Sequence, residues 1–158
     1  GYEFSQEFSG TAGNGTRVHI GSIRPFPTFN GVGTRYRIVP SYVESVVTGN
    51  SPVLFSIVYG ATFSAGPTWA GAAYSAYSGA EVTTAGGTIS TSPIIARQWY
   101  NAASSTTKIQ AGIELSKLYP LTLDAAGANR AMGTLSIYAT GIGGTSACRV
   151  AINWKELR

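Results

Sequence analysis

Near the end of the chain, apolar and polar residues alternate strictly. Cys148, Val150, Ile152 and Trp154 share one parity, and Arg149, Asn153 and Lys155 take the other. Successive side chains of an extended strand point to opposite faces, so a period of two sets one face on a core and the other toward solvent. Ile109, Ala111, Ile113 and Leu115 alternate in the same way against Lys108, Gln110 and Glu114, and Val53, Phe55, Ile57 and Tyr59 form a third apolar row. Noisier strands are predicted over 2–8, 16–23 (Val18 and Ile20 inward), 35–47, 88–96 and 132–140 (Leu135 and Ile137 inward). Proline cannot donate to a strand ladder, so Pro40 inside 35–47 predicts a bulge, a bend or an edge.

Turn chemistry punctuates these rows. Thr48-Gly49-Asn50-Ser51-Pro52 and Gly141-Ile142-Gly143-Gly144-Thr145 each sit between two strands closely enough to predict a hairpin. Glycine and asparagine accept the positive φ that tight reversals require. Residues 114–119 offer at most one helical turn before Pro120 stops it. About eight strands with almost no helix predict an all-β fold, an eight-stranded antiparallel jelly-roll β-sandwich, and a chain of this length fits one domain over 1–158.

The surface such a fold would present is unusual. Only 11% of the 158 residues are charged, where about 25% is ordinary. Serine, threonine, alanine and glycine take the vacated places, and a surface so poor in ions is weakly defended against association. The expected partner is therefore a further copy of the same chain. Eleven Lys and Arg against seven Asp and Glu give a net charge of +4, well short of a dedicated nucleic-acid arm. No basic run occurs; the nearest grouping is Arg35 with Arg37, preceded by Arg24 and Arg17. The single cysteine, Cys148, excludes an intrachain disulfide and is predicted to behave as a small buried hydrophobe. No apolar run reaches the length of a membrane span and no signal peptide is visible, so no membrane partner is expected. A chain opening on Gly1 rather than Met raises the expectation of a processed or trimmed piece.

Residues able to carry chemistry are sparse. His19 is the only histidine, and no Gly-x-Ser-x-Gly elbow accompanies it. With one cysteine available it cannot build a zinc site, so a solvent-facing or interface role is predicted for it. The acids Glu3, Glu7, Glu44, Glu81, Glu114, Asp124 and Glu156 are scattered, and no calcium loop is present. Gly31-Val32-Gly33 and Gly141-Ile142-Gly143-Gly144 lack the strand–turn–helix context of a dinucleotide loop. Asn14-Gly15-Thr16 has the form of a glycosylation sequon. No enzyme activity, catalytic residue, metal site or cofactor is predicted. Two irregular stretches remain. Residues 61–87, with Trp69, Tyr74 and Tyr77, read as a functional loop or a short strand pair, and residues 121–130 read as a surface loop around Asp124-Ala125-Ala126-Gly127. The aromatic side chains of the first could stack on sugar, pack on a neighbouring subunit or cap the fold.

The block Phe26-Pro27-Thr28-Phe29-Asn30-Gly31-Val32-Gly33, followed by the predicted strands 35–47 and 52–59, resembles the coat-protein jelly roll of small icosahedral plant satellite viruses. The ending Gly133-Thr134-Leu135-Ser136-Ile137-Tyr138, a glycine turn and the strand 149–157 are similar in style to the closing strand pair of such subunits. The resemblance implies a structural subunit of a virion that packs edge to edge into a closed shell, with viral nucleic acid inside and RNA as the first expectation. It also implies an Arg/Lys-rich N-terminal arm, which these 158 residues do not include. Basic side chains on the lumen face would neutralise phosphates without reading bases; the expected nucleic-acid contacts are Arg17, Arg24, Arg35 and Arg37, chosen for their grouping near the arm's exit. The alternative is the receptor- or glycan-binding tip of a trimeric phage tail fibre or tailspike, where residues 69–77 would touch surface glycan. A carbohydrate-binding or adhesin module without a shell is a third reading.

Overall fold

The computed structural model describes residues 2–29, 31–72, 77–84, 94–104, 107–112 and 120–157, and the fold it shows is all-β. The strands are β1 (Tyr2–Asn14), β2 (Val18–Pro25), β3 (Thr28–Phe29), β4 (Val32–Gly33), β5 (Arg37–Val47), β6 (Val53–Tyr59), β7 (Ala70–Gly71), β8 (Ala80–Thr83), β9 (Ile94–Asn101), β10 (Ile109–Gly112), β11 (Leu135–Gly141) and β12 (Ser146–Leu157). A single 3₁₀ turn, Ala131–Gly133, precedes β11, and no α-helix occurs among the described residues. The short turn expected over 114–119 and the start of the strand expected at 88–93 lie outside the described residues.

Hydrogen-bonded neighbours run β1–β12–β5–β10 in a first sheet and β9–β6–β11–β2–β8–β7 in a second. The last two residues of β1 leave the first sheet and pair in parallel with β11, Gly13 opposite Thr140 and Asn14 opposite Gly141, which joins the two into one mixed ten-stranded sheet. The expectation of a purely antiparallel arrangement is corrected at this point. The strip β3–β4 stands apart. Inward rows of both sheets meet in one core: Phe8, Val43, Val150, Ile152 and Trp154 from the first, Ile20, Phe55, Ile57, Leu135 and Ile137 from the second. The row legible at the C-terminus behaves as its pattern dictates, with Cys148, Val150, Ile152 and Trp154 buried and Arg149 and Lys155 exposed.

Neither predicted hairpin forms. Residues 48–52 carry the chain from β5 in the first sheet to β6 in the second, and residues 142–145 carry it from β11 in the second to β12 in the first. Gly143 takes the positive φ expected of such a turn and neither Gly49 nor Asn50 does, and at both places the chain crosses the core edge instead of doubling back beside itself. Strands with one apolar face gain more by facing each other across a core than by pairing side by side. At the second crossover Gly141 admits no side chain, because a Cβ there would run into the carbonyl oxygens of Gly144 and Gly13.

Bulges adjust the faces. On β5, Tyr42 opposes Asn153 and Pro40 opposes Trp154, so Ser41 is the extra residue and Pro40 adjoins a bulge. On β2, Tyr138 opposes His19 and Ile137 opposes Gly21, leaving Ile20 extra. Residues three apart in a regular strand point opposite ways. This bulge places Ile20 and Gly21 toward the core, so that His19 and Ser22 share the outer face.

Candidate functional site

The excess positive charge is unevenly placed. On the outer face of the first sheet, Arg149 pairs with Glu7 at 2.8 Å, Lys155 with Glu3 at 3.5 Å and Lys108 with Glu44 at 2.5 Å. Lys108 gains proton affinity from the hydrogen bond to Glu44, then from the same carboxylate's charge. These three cations and three anions cancel, so the face is polar and close to neutral. Shallow hollows lie on it among the described residues, one of about 530 Å³ around Ser5, Ser41, Tyr42 and Asn153, and a smaller one beside Val46 and Ala151.

Of the four expected phosphate contacts, three lie toward one end of the molecule. Arg24 on β2 is half-buried and pairs through Nε with Glu81 Oε1 on β8 at 2.5 Å. Arg35, just before β5, donates from Nη1 to the Asp124 carbonyl at 3.4 Å. Arg37 opens β5 opposite Leu157 and is exposed. The loop 121–130 ties this end together: Leu121 is buried and bridges Ile38, and Asp124 accepts the amides of Ala126 and Ala128 at 2.9 Å each. Arg17 does not join them. It sits exposed in the turn between β1 and β2, where Gly15 donates to the Gly141 carbonyl. That turn lies near the Ser146 end of β12, whereas Arg37 faces Leu157, and eleven strand steps separate the two by roughly 35 Å. The grouping expected from sequence proximity is corrected, because β2 runs the length of the fold between Arg17 and Arg24.

Arg24 belongs to a built site. Its guanidinium carbon lies 3.9 Å from the centre of the Trp69 ring, a cation–π stack. Asn129 Nδ2 donates to the same Glu81 oxygen at 3.3 Å, and Glu81 itself is 5% exposed. Arg130 is held from the other side, Nε to the Thr122 carbonyl at 3.2 Å and Nη2 to Thr122 Oγ1 at 2.7 Å. Together Arg24, Phe63, Trp69, Asn129, Arg130 and Thr134 help line a cavity of about 480 Å³. Trp69 and Arg24 were legible as candidates, one through its aromatic stretch and the other through its charge. Asn129, Arg130 and Glu81 were not, since only folding brings loop 121–130 against β8. The segment 61–84 resolves in part as the short β7–β8 pair, and Tyr74 lies outside the described residues.

His19 departs from its solvent-facing expectation. It is 5% exposed, with Nε2 2.6 Å from Ser22 Oγ, which in turn lies 2.6 Å from Ser136 Oγ. Phe63 and Tyr138 flank the ring with centroids at 4.9 and 5.5 Å. The loop after β6 covers this outer face, and Val58, Ala61 and Tyr138 form a small second core with Phe63 against it. Burial pushes the Tyr138 phenol well above its usual range. A histidine beside a serine has the first contact of a nucleophilic pair. Held between the Phe63 and Tyr138 rings and almost fully buried, the His19–Ser22–Ser136 row packs as a buried polar strip. Among the described residues no three His, Cys, Asp or Glu side chains gather closely enough to hold a metal ion.

Compared with known protein families and with curated proteins, the chain matches none.

Proposed function

We propose that this chain is the coat subunit of a small icosahedral virus: a single eight-stranded jelly roll whose copies close into a shell around nucleic acid, RNA first among the candidates. The observation that carries the reading is the order of the long strands. Taken as four-strand sheets, β1–β12–β5–β10 faces β2–β11–β6–β9, and the chain changes sheet at every junction among them except β6 to β9. Two interleaved Greek keys generate that order, and β3, β4, β7 and β8 are then ornaments in the connections. The scarcity of charge supports assembly, as do the well-exposed Val32, Tyr77 and Tyr100. Identical contacts repeated under closed symmetry end in a particle instead of a fibre.

The test is the state of the purified protein. Sedimentation velocity and negative-stain microscopy should find closed particles with ultraviolet absorbance in excess of protein alone, and the nucleic acid should be released by salt. A compact trimer free of nucleic acid would move the assignment to the fibre-tip reading, and a monomer at all concentrations would remove the coat reading.

A further inference from the structure

The cavity at Arg24, Trp69 and Arg130 has a chemistry of its own, independent of whether the chain builds a shell. The carboxylate bonded to its wall, Glu81, is already occupied by Arg24 Nε and Asn129 Nδ2 and is almost fully buried. Donors remain in surplus. Among the described residues, Nη1 and Nη2 of Arg24 have no hydrogen-bond partner, nor do Nη1 of Arg130 and Nε1 of Trp69. Two guanidinium groups against one carboxylate leave a local charge of +1 on this wall. A sugar needs both donors and acceptors for its hydroxyls, and an open aromatic face for its ring; here one face of Trp69 is taken by Arg24. A ligand made almost wholly of acceptors, with negative charge, fits better.

We propose that this cavity binds a phosphate group, held by the Nη edge of Arg24 and by Arg130 and flanked by the Trp69 ring. Its volume of about 480 Å³ falls in the roughly 300–1,000 Å³ range of small-ligand sites, enough for a nucleotide around the phosphate. Glu81 has a positioning role: it fixes the Arg24 plane against Trp69 and leaves the two terminal nitrogens for the ligand. Two sources share this chemistry, a phosphodiester of single-stranded nucleic acid and a free phosphomonoester.

Tryptophan fluorescence reads the site. Of the three tryptophans, Trp99 and Trp154 are buried at 9% and 1% exposure, so a ligand-linked change reports on Trp69. The purified protein is titrated with inorganic phosphate, a nucleoside monophosphate and a short single-stranded oligonucleotide, each to about 10 mM phosphate, beyond the millimolar range where weak sites saturate. Arg130→Gln removes one charge-assisted donor from an exposed side chain and should weaken binding roughly tenfold or more. Trp69→Phe should abolish the signal, and calorimetry then follows its binding. Arg149→Gln, on the neutral outer face of the first sheet, should leave affinity unchanged. Weakening by Arg130→Gln that includes the oligonucleotide assigns the site to nucleic-acid phosphate; weakening confined to the two small probes assigns it to a free phosphomonoester. No saturable binding by any probe, or Arg130→Gln matching the parent with every probe, overturns the proposal.

Discussion

Replacing Glu156 with glutamine should destabilise the chain out of proportion to the one atom changed. Glu156 continues the inward row of β12 beyond Trp154 and is 0% exposed. Its carboxylate accepts Ser78 Oγ at 2.5 Å, the Gly79 amide at 3.0 and 3.1 Å through both oxygens, and Trp154 Nε1 at 3.2 Å. A hydrogen bond to a charged acceptor contributes about 1.5–3 kcal/mol, a neutral one about 0.5–1.5. Neutralising the acceptor for three donors therefore removes about 3 kcal/mol, and the new amide presents N–H where an oxygen had been. Relief from burying a charge returns part of this, so a net loss of about 2–3 kcal/mol is expected. At about 2–4 °C per kcal/mol for a chain of this size, Tm should fall by about 5–10 °C. Glu156→Leu leaves three donors without their acceptor, at about 1–3 kcal/mol each, and should cost at least as much. Urea denaturation followed by fluorescence gives the energies, and hydrogen exchange at the Gly79 amide localises them, since that amide exchanges two charged oxygens for one neutral oxygen in the glutamine variant and for none in the leucine variant. A Glu156→Gln protein within about 0.5 kcal/mol of the parent, with Gly79 equally protected, would refute the reasoning; that margin is the scatter of neutral surface changes.

Other outcomes follow from the same packing. Burial pushes the Cys148 thiol up to about 11 from 9.0; because the folded value exceeds the unfolded one, its contribution is full below pH 9 and is lost as pH rises toward 11. The loss is about 3 kcal/mol, and Cys148→Ala should flatten that part of a stability–pH profile while the native parent resists thiol reagents. Ile137→Ala, in the centre of β11 and fully buried, should cost about 2–5 kcal/mol by urea titration. Gly141→Ala forces a Cβ against two backbone carbonyls and should cost more than the roughly 1 kcal/mol of an ordinary strand substitution, read as a lowered Tm. Glu7→Gln breaks an exposed ion pair whose partners are each about 60% exposed, and should change stability by less than about 1 kcal/mol in the same assay.

The all-β class and the facing of the strongest rows were legible because alternation is a local property: strand geometry converts parity into a face wherever the chain is extended. Cys148 through Trp154, Val53 through Tyr59 and the bulge beside Pro40 needed nothing from distant residues. Parity failed where a bulge or a second layer intervened. His19 reads as solvent-facing by its position on β2, and only the extra residue Ile20 and the loop over Phe63 bury it. Glu156 reads as one of the scattered acids, and only the approach of Ser78 and Gly79 makes its burial tolerable.

Sequence alone determined that this chain extends into strands with one greasy face, that it holds a single thiol, and that its surface is poor in charge. Tertiary structure decided which strands become neighbours, sending residues 48–52 and 142–145 across the core where a hairpin was expected, and which cations stand together. Arg17 is parted from Arg24 by one strand's length, while Arg130 is brought to Arg24 from more than a hundred residues away. The reason is physical: side-chain direction is set within two residues, but pairing and charge proximity depend on how two sheets close over a shared core, a choice made by the whole chain at once.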